Sequence, residues 1–458
     1  MNKTFVLDTN VLLQSPNSLL AFSDNKVVLT EAVLEELDKF KKDNSELGAN
    51  ARAVSRFLDK LRAKGKLIDG VVMENGGILK VESNHYDVAI PASWDKTKAD
   101  NRILQVCKAL QDEGENVQLI TKDILERIKA DIMDVVASDF ENEQAPTLDN
   151  QYKGRRDIYL MPDLLQKFKD EDGLELMGLD IFNEMGKPFK EKLIPNEFLI
   201  LHSCLNPKQT LLGMVDSSMK AIRPLFYDSI YPYGVTPKNV GQKFMQEALL
   251  TPVNDIPLVI IKGPAGTAKT FYSLACGLQK VVEDKEYRKI LVCRPTTTMD
   301  EDLGFLPGDE GQKIAPYMRP IKDNLEVLVD SNSKERYDDE KALSDKVQYL
   351  FEKEYITTEA VGFLRGRSIV KQWIIIDEAQ NLTPKQAKAI ITRAGEGTKI
   401  IMVGDPEQID NPFMDSRTNG LSYAAERMKN SKYCAQITLE GEECVRSKLA
   451  QDSAKRMK

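Results

Sequence analysis

Eight consecutive residues, Gly263, Pro264, Ala265, Gly266, Thr267, Ala268, Lys269 and Thr270, have the types and spacing of a phosphate-binding loop. Backbone N–H groups of such a loop cradle phosphate oxygens. Lys269 adds a positive charge, and the Thr270 hydroxyl suits a Mg²⁺ ion on a nucleoside triphosphate. The pattern G-x-x-x-x-G-K-[ST] wants glycine where this chain has Ala268. A methyl group there need not abolish binding, because the backbone and Lys269 do the cradling. A second apolar run, Trp373 to Ile376, ends in Asp377 and Glu378. Asp377 is expected to hold Mg²⁺ with Thr270, and Glu378 to orient or deprotonate the attacking water. A third run, Ile400 to Val403, delivers Gly404, Asp405 and then Gln408. The uncharged amide of Gln408 can bond both a γ-phosphate and a lytic water, so the nucleotide state can be sensed there. Charge on the transferring phosphoryl group calls for a further cation, with Arg446, Arg393, Arg365 and Arg367 as candidates.

The amino-terminal end carries a different set. Asp8, Thr9 and Asn10 end the first apolar run, and Glu35 and Glu36 lie in an amphipathic stretch. Asp100 opens a later one, and Thr121 and Asp123 close another run. Acids at element ends can converge at one edge of a parallel sheet. Hard oxygens without histidine suit Mg²⁺ or Mn²⁺ and the hydrolysis of a phosphodiester by metal-activated water. Acidic residues at helix starts are also ordinary caps, a role open to Asp100. Arg52, Arg56, Lys60 and Lys64 recur every four residues along one helix face, suited either to phosphates or to solvent.

These groups need scaffolds. The 458 residues, 42% hydrophobic, are enough for two or three domains. Six scattered cysteines without a C-x-x-C pair, no secretory leader and no membrane-length apolar run point to a reduced, cytoplasmic, soluble protein with no membrane partner. Only His85 and His202 exist, far apart, which excludes histidine triads and His/Cys zinc sites. The net charge of −8 is local: residues 131–205 hold 8 basic and 16 acidic side chains, against 19 and 20 before them and 36 and 35 after. Global acidity therefore does not argue against a polyanionic ligand.

The expected fold class is α/β with three parts. Residues 1–130 read as a parallel-sheet domain, with strands at 4–7, 26–29, 78–81 and 116–120 and helices at 31–42, 46–64 and 99–113. Residues 131–234 read as an acidic linker and a small β-rich connector, with strands at 198–201 and 210–215. Residues 235–458 read as a C-terminal P-loop NTPase domain of RecA-like type, with strands at 257–262, 289–293, 372–377, 399–403 and 435–439.

The phosphate loop, Arg294-Pro295, Leu303 to Asp309, Arg365 to Arg367, Asp377 to Gln380 and Gly404 to Asp410 closely resemble the PhoH family of ATPases, relatives of superfamily 1 helicases. That resemblance implies that Gln242 reads the adenine edge and that Arg446 is the first choice among the arginines. It also implies a homo-oligomeric ring, with a hexamer as the candidate. The first 130 residues resemble a PIN domain, a metal-dependent ribonuclease fold. Carried over residue by residue, its acids are Asp8, Glu36, Asp100 and Asp123, supported by Thr9, Asn10 and Thr121. The Glu-Leu step favours Glu36 over Glu35. Together the two parts are similar to bacterial PIN-PhoH fusions. They imply an ATP-dependent RNA helicase or translocase that feeds a Mg²⁺- or Mn²⁺-dependent ribonuclease, with the strand passing Arg294 and with Lys313 and Arg319 in the contacting segment 300–320. An ATP-gated nuclease or switch that unwinds nothing, or the same motor on DNA, are the alternatives.

Overall fold

Strands buried on both faces of a parallel sheet must be almost continuously apolar, and those runs form the strands of this chain. The computed structural model describes residues 3–22, 25–43, 45–140, 145–146, 148–295, 310–331, 340–364, 369–410 and 414–445. It divides into two units, residues 1–144 and 145–458.

In the first unit the order is β1 (Thr4–Leu7), α1 (Thr9–Gln14), β2 (Lys26–Thr30), α2 (Glu31–Phe40), α3 (Glu46–Arg62), β3 (Val71–Val72), β4 (Ile78–Glu82), α4 (Ala99–Asp112), β5 (Val117–Ile120), α5 (Ile124–Ile132) and β6 (Ala137–Ser138). The described strands lie in the order β3-β4-β2-β1-β5-β6, and only β3 runs antiparallel to its neighbour. β1 pairs with β5 in a register that sets Leu7 against Ile120. Asp8 and Thr121 therefore leave the sheet side by side at its carboxyl edge. Val6, Leu7, Val28, Leu79, Leu104 and Leu119 are among the fully buried side chains of the core beneath that edge.

The second unit begins with β7 (Arg155–Leu160), α6 (Pro162–Asp170), β8 (Leu174–Glu175), β9 (Phe198–Ser203), β10 (Thr210–Val215) and β11 (Ala221–Pro224). These strands form a sheet in the order β7-β9-β10-β11-β8. One face, with Ile158, Leu199, Leu201 and Ile222, packs on α6. The other, with Phe198, Ile200, Leu212 and Met214, joins the large core of the following sheet. Alternation along each strand thus serves two cores at once. The β-rich connector is consequently part of the second unit, continuous with the P-loop fold in packing.

That fold comprises α7 (Val240–Leu250), β12 (Leu258–Lys262), α8 (Lys269–Leu278), β13 (Ile290–Arg294), α9 (Glu310–Ser331), α10 (Glu340–Glu352), β14 (Ile356–Ala360), β15 (Trp373–Ile376), α11 (Pro384–Ile391), β16 (Lys399–Gly404), α12 (Gly420–Met428) and β17 (Cys434–Thr438). Its strands are parallel, in the order β14-β13-β15-β16-β12-β17. β16 lies between β12 and β15, so the turns after all three open on the same carboxyl edge, where doubly wound sheets bind ligands.

Candidate functional site

β12 is buried throughout and turns into the phosphate loop at Gly263, whose φ of 149° permits the turn. A side chain at Gly263 would fall 2.8 Å from the Leu439 carbonyl oxygen, so the close approach demands glycine. Ala268 takes φ 67° and ψ 25°, the left-handed region. A methyl-bearing residue there costs about 1–2 kcal/mol. Burying even one Ile of the preceding strand is worth roughly as much, so the strand holds the strain readily. Lys269 opens α8, and its Nζ donates to the carbonyls of Gly263 (2.6 Å) and Pro264 (3.0 Å); Thr267 Oγ1 donates to Pro264 O (2.8 Å). Ala265 and Gly266 complete the loop, and their backbone oxygens meet Cys444 Sγ (3.7 Å) and Val445 N (3.0 Å).

Thr270 Oγ1 donates to Asp377 Oδ1 at 2.7 Å, joining the loop to the end of β15. Arg294, at the end of β13, places Nε 3.1 Å from Asp377 Oδ2 and donates from a terminal nitrogen to Glu378 Oε1 at 3.1 Å. Burial raises the Asp377 carboxyl above its usual range, while Arg294 and then the Thr270 hydrogen bond act against that rise. Gln380 ties the third strand in. Its Nε2 donates to Glu378 Oε2 (2.6 Å) and the Gln408 carbonyl (2.7 Å), and its Oε1 accepts from Asp405 N (3.1 Å). A side chain at Gly404 would fall 2.1 Å from that Oε1. Gln408 itself is exposed at this edge. Gln242 is buried at the start of α7; Asn239 Oδ1 accepts from its N–H, and its own Oε1 accepts from Lys238 N at 2.8 Å.

The arginine candidates divide. Arg446, Arg365, Arg367 and residues 303–309 lie outside the described residues. Arg393 follows α11 on the way into β16, where Ala394 bridges Ile369, at the opposite end of the strands from the loop. Arg294 makes charge contacts with Asp377 and Glu378 within the site. Arg319 is exposed on α9, and the side chain of Lys313 lies outside the described residues.

At the other edge, Asp8 is 6% exposed. Its Oδ1 accepts from Thr9 N (2.5 Å) and its Oδ2 from Thr121 Oγ1 (2.7 Å). Asn10 Nδ2 donates to the same Thr121 hydroxyl, and Asn10 Oδ1 accepts from Lys122 N, which locks the ends of β1 and β5 together. Thr9 Oγ1 donates to Glu36 Oε2 at 2.5 Å. Glu35 turns away into a bidentate pair with Arg102, at 2.7 and 2.9 Å. Asp100 pairs with Lys129 Nζ at 3.1 Å, and Asp123 is exposed and caps α5, accepting from Leu125 N at 2.8 Å. The structure thus gathers Asp8 and Glu36 around Thr9, while Asp100 and Asp123 are held by other partners. Among the described residues, no three His, Cys, Asp or Glu side chains form a ready metal-ligating group. Of the basic row, Arg52 donates to the carbonyls of Lys41 and Asp43, and Arg56, Lys60 and Lys64 are exposed.

Sequence reading missed Glu126. It lies one turn beyond Asp123 on α5, is 1% exposed, and reaches Asp8 and Thr121. Burial first, then the Asp8 carboxylate, push its carboxyl far up, and burial raises Asp8 as well. Two carboxyl groups in such contact disfavour joint ionisation. Glu126 Oε1 is buried without a hydrogen-bond partner, beside the Asp8 carboxylate. That donor set fits a hard divalent cation, for which carboxylate oxygens are the natural ligands.

Family comparison agrees with both ends of the chain. A PIN domain model matches residues 5–141 and a PhoH-like protein model matches residues 234–458. Protein PhoH2 of Bacillus subtilis is 38% identical over 99% of this chain and 100% of its own length. The chain belongs to the PhoH2 family. Another relative, protein PhoH2 of Thermobispora bispora, is 29% identical over 95% of this chain and 93% of its own. Protein PhoH of Escherichia coli K12, 37% identical, matches only 42% of this chain and 51% of its own length. The PhoH2-family chain is therefore a PIN domain joined to a P-loop ATPase fold. No described helix is long and apolar enough to cross a membrane.

Proposed function

We propose that this chain is an ATP-dependent RNA helicase or translocase coupled to a Mg²⁺- or Mn²⁺-dependent ribonuclease. The observation that carries the reading is the Lys269–Thr270–Asp377–Arg294–Glu378 chain of contacts at one sheet edge. When ATP enters, Lys269 transfers its ammonium from the loop carbonyls to phosphate oxygens, and the backbone from Gly263 to Ala268 donates to the same anion. Thr270 and Asp377 would hold Mg²⁺, which neutralises charge on the transferring phosphoryl group. Glu378 accepts the proton of the attacking water, Arg294 keeps its carboxylate oriented, and Gln380 links that carboxylate to the Gln408 carbonyl in the turn after β16. Gln242 reads adenine, and Arg446 supplies the remaining cation. In the first unit, Asp8, Glu36, Asp100, Asp123 and Glu126 would hold the divalent metal that activates water against an RNA phosphodiester. The protein acts in the cytoplasm as a ring.

A second reading, an ATP-gated nuclease without unwinding, is favoured by one contact. Lys262, immediately before the loop, donates to Gln151 Oε1 (3.1 Å) and Tyr152 O (3.2 Å), residues of the second unit that follow closely in sequence on the first. Cleavage and ATPase assays on structured and unstructured RNA decide between them. The helicase reading requires RNA-stimulated ATPase and strand separation; ATP-dependent cutting without either overturns it.

A further inference from the structure

The turn between β17 and the last described residue contacts three parts of the nucleotide site at once. Leu439 N donates to Lys262 O at 2.8 Å, just before the loop, and Val445 N donates to Gly266 O within it. Between them, Glu443 holds the start of α7. Its Oε1 accepts from Gly241 N (2.8 Å) and its carbonyl accepts from Asn239 Nδ2 (3.1 Å), while Asn239 Oδ1 caps Gln242 N (2.9 Å). A side chain at Gly241 would lie 2.6 Å from Glu443 Oε1, so this approach is built into the helix.

The turn is acidic, with Glu440, Glu442 and Glu443 in four residues. Left alone, these carboxylates would repel one another and any incoming triphosphate. Two balancing cations come from the connector, and Lys153 lies 3.3 Å from Glu440 Oε1. Arg155, at the start of β7 and 11% exposed, donates to Glu443 Oε1 at 2.8 Å and lies 3.3 Å from Glu440 Oε2. The same sheet is anchored on α7 by the stacked rings of Phe198 and Phe244, 4.8 Å apart.

We propose that Arg155 is a positioning residue for the nucleotide base. By fixing Glu443, it sets the spacing between the Gln242 turn of α7 and the phosphate loop, and so sets both affinity for adenine nucleotide and preference over guanine nucleotide. The proposal rests on the ATP reading of the loop and on the reading of adenine by Gln242. Its effect is on binding, because Arg155 touches none of the groups that act on the γ-phosphate.

The test uses the full chain, fluorescent ATP and GTP analogues, and steady-state hydrolysis. Arg155→Gln is expected to weaken ATP binding about tenfold, a coupling typical of groups in one network. It lowers the ATP-over-GTP ratio and leaves kcat at saturating ATP within about twofold, the pattern of lost binding rather than lost chemistry. Arg155→Lys restores part of the affinity. Glu443→Gln keeps an acceptor for Gly241 N–H but loses the charge; it shifts both quantities the same way, and the double variant is no worse than the poorer single one. If Arg155→Gln does not fold, Glu443→Gln carries the test. Parental ATP affinity with a parental ATP/GTP ratio overturns the proposal. Equal loss for both nucleotides with a lowered Tm overturns it too, since that is a structural role alone. Lys269→Ala separates the two levels: if it binds and hydrolyses ATP like the parent, the ATP reading itself fails, whatever Arg155 does.

Discussion

The two candidate sites of this chain handle unsatisfied charge in opposite ways. At the phosphate loop, the positive groups rest on acceptors of the loop and of the neighbouring strand ends. Lys269 leans on carbonyls of its own loop, and Arg294 spans Asp377 and Glu378. At the PIN edge, the negative groups are quenched internally: Lys129 sits on Asp100, and burial beside one another raises the carboxyls of Asp8 and Glu126. The first site is preassembled, because backbone turns and cross-strand hydrogen bonds fix it. The second has its acids in place but must release internal partners, because like charges at close range do not gather without a cation.

The largest effects should separate the sites outright. Lys269→Ala is expected to lower ATP hydrolysis roughly 100-fold or more and still cut unstructured RNA, whereas Asp8→Asn lowers cleavage by a similar factor and still hydrolyses ATP. Paired ATPase and cleavage assays check this, and a variant that loses both activities would mean that the sites are not independent.

Next comes the pH dependence of stability, where the two units bury titratable groups of opposite sense. Lys399 is fully buried with Nζ on the carbonyls of Ala248 and Thr251, and burial lowers its pKa to about 7. Between that value and the ordinary lysine pKa the unfolded chain binds more protons, so stability rises with pH through this window. Lys399→Met should remove a rise of roughly 2–3 kcal/mol, read from urea midpoints between pH 7 and 10. Glu126 has its pKa raised, so from just above the ordinary carboxylate range the folded state binds more protons, and stability falls as pH rises. Glu126→Gln should flatten that fall. Slopes of the same sign for the two variants would break the contrast.

A smaller effect concerns metal uptake. Glu126→Gln should weaken Mn²⁺ binding roughly tenfold, and Lys129→Met should strengthen it by removing the internal competitor, both read by titration without substrate. Unchanged binding in Lys129→Met would show that Asp100 stands outside the metal set. The smallest effect belongs to Ala268→Gly. Relief of the left-handed strain, set against the looser unfolded chain, leaves a net change of about 0.5 kcal/mol. ATP turnover should be equal or higher, and a large loss would mean that the loop geometry depends on the methyl group.

The parts of the candidate nucleotide site were legible as neighbours of buried strands because they are contiguous or follow them: the loop after β12, Asp377 after β15, and Gly404 and Asp405 after β16. Arg294 was noticed and given a different role, since a cation at a strand end does not announce which carboxylates lie across the sheet. The carboxylate site was less legible. α5 buries Glu126 and Ala130 and exposes Ile124, Leu125, Ile128 and Ile132, the reverse of an ordinary amphipathic helix. Its acid is thus hidden among residues whose pattern points the other way. Glu35 and Glu36 are adjacent in sequence; the Glu-Leu step favoured Glu36, and Arg102 on α4 supplies the partner toward which Glu35 turns away.

The sequence by itself determined the α/β character of both ends, the buried parallel strands, the phosphate loop and the acids at strand ends, since these depend on local runs, turn residues and period. Tertiary structure alone decided that the β-rich connector belongs to the ATPase unit, that Arg155 reaches Glu443 288 residues later, and that Glu126 joins Asp8. Those pairings follow from sheet order and from which helix face is buried. Both are settled when distant segments pack together, and neither leaves a periodic mark in the chain.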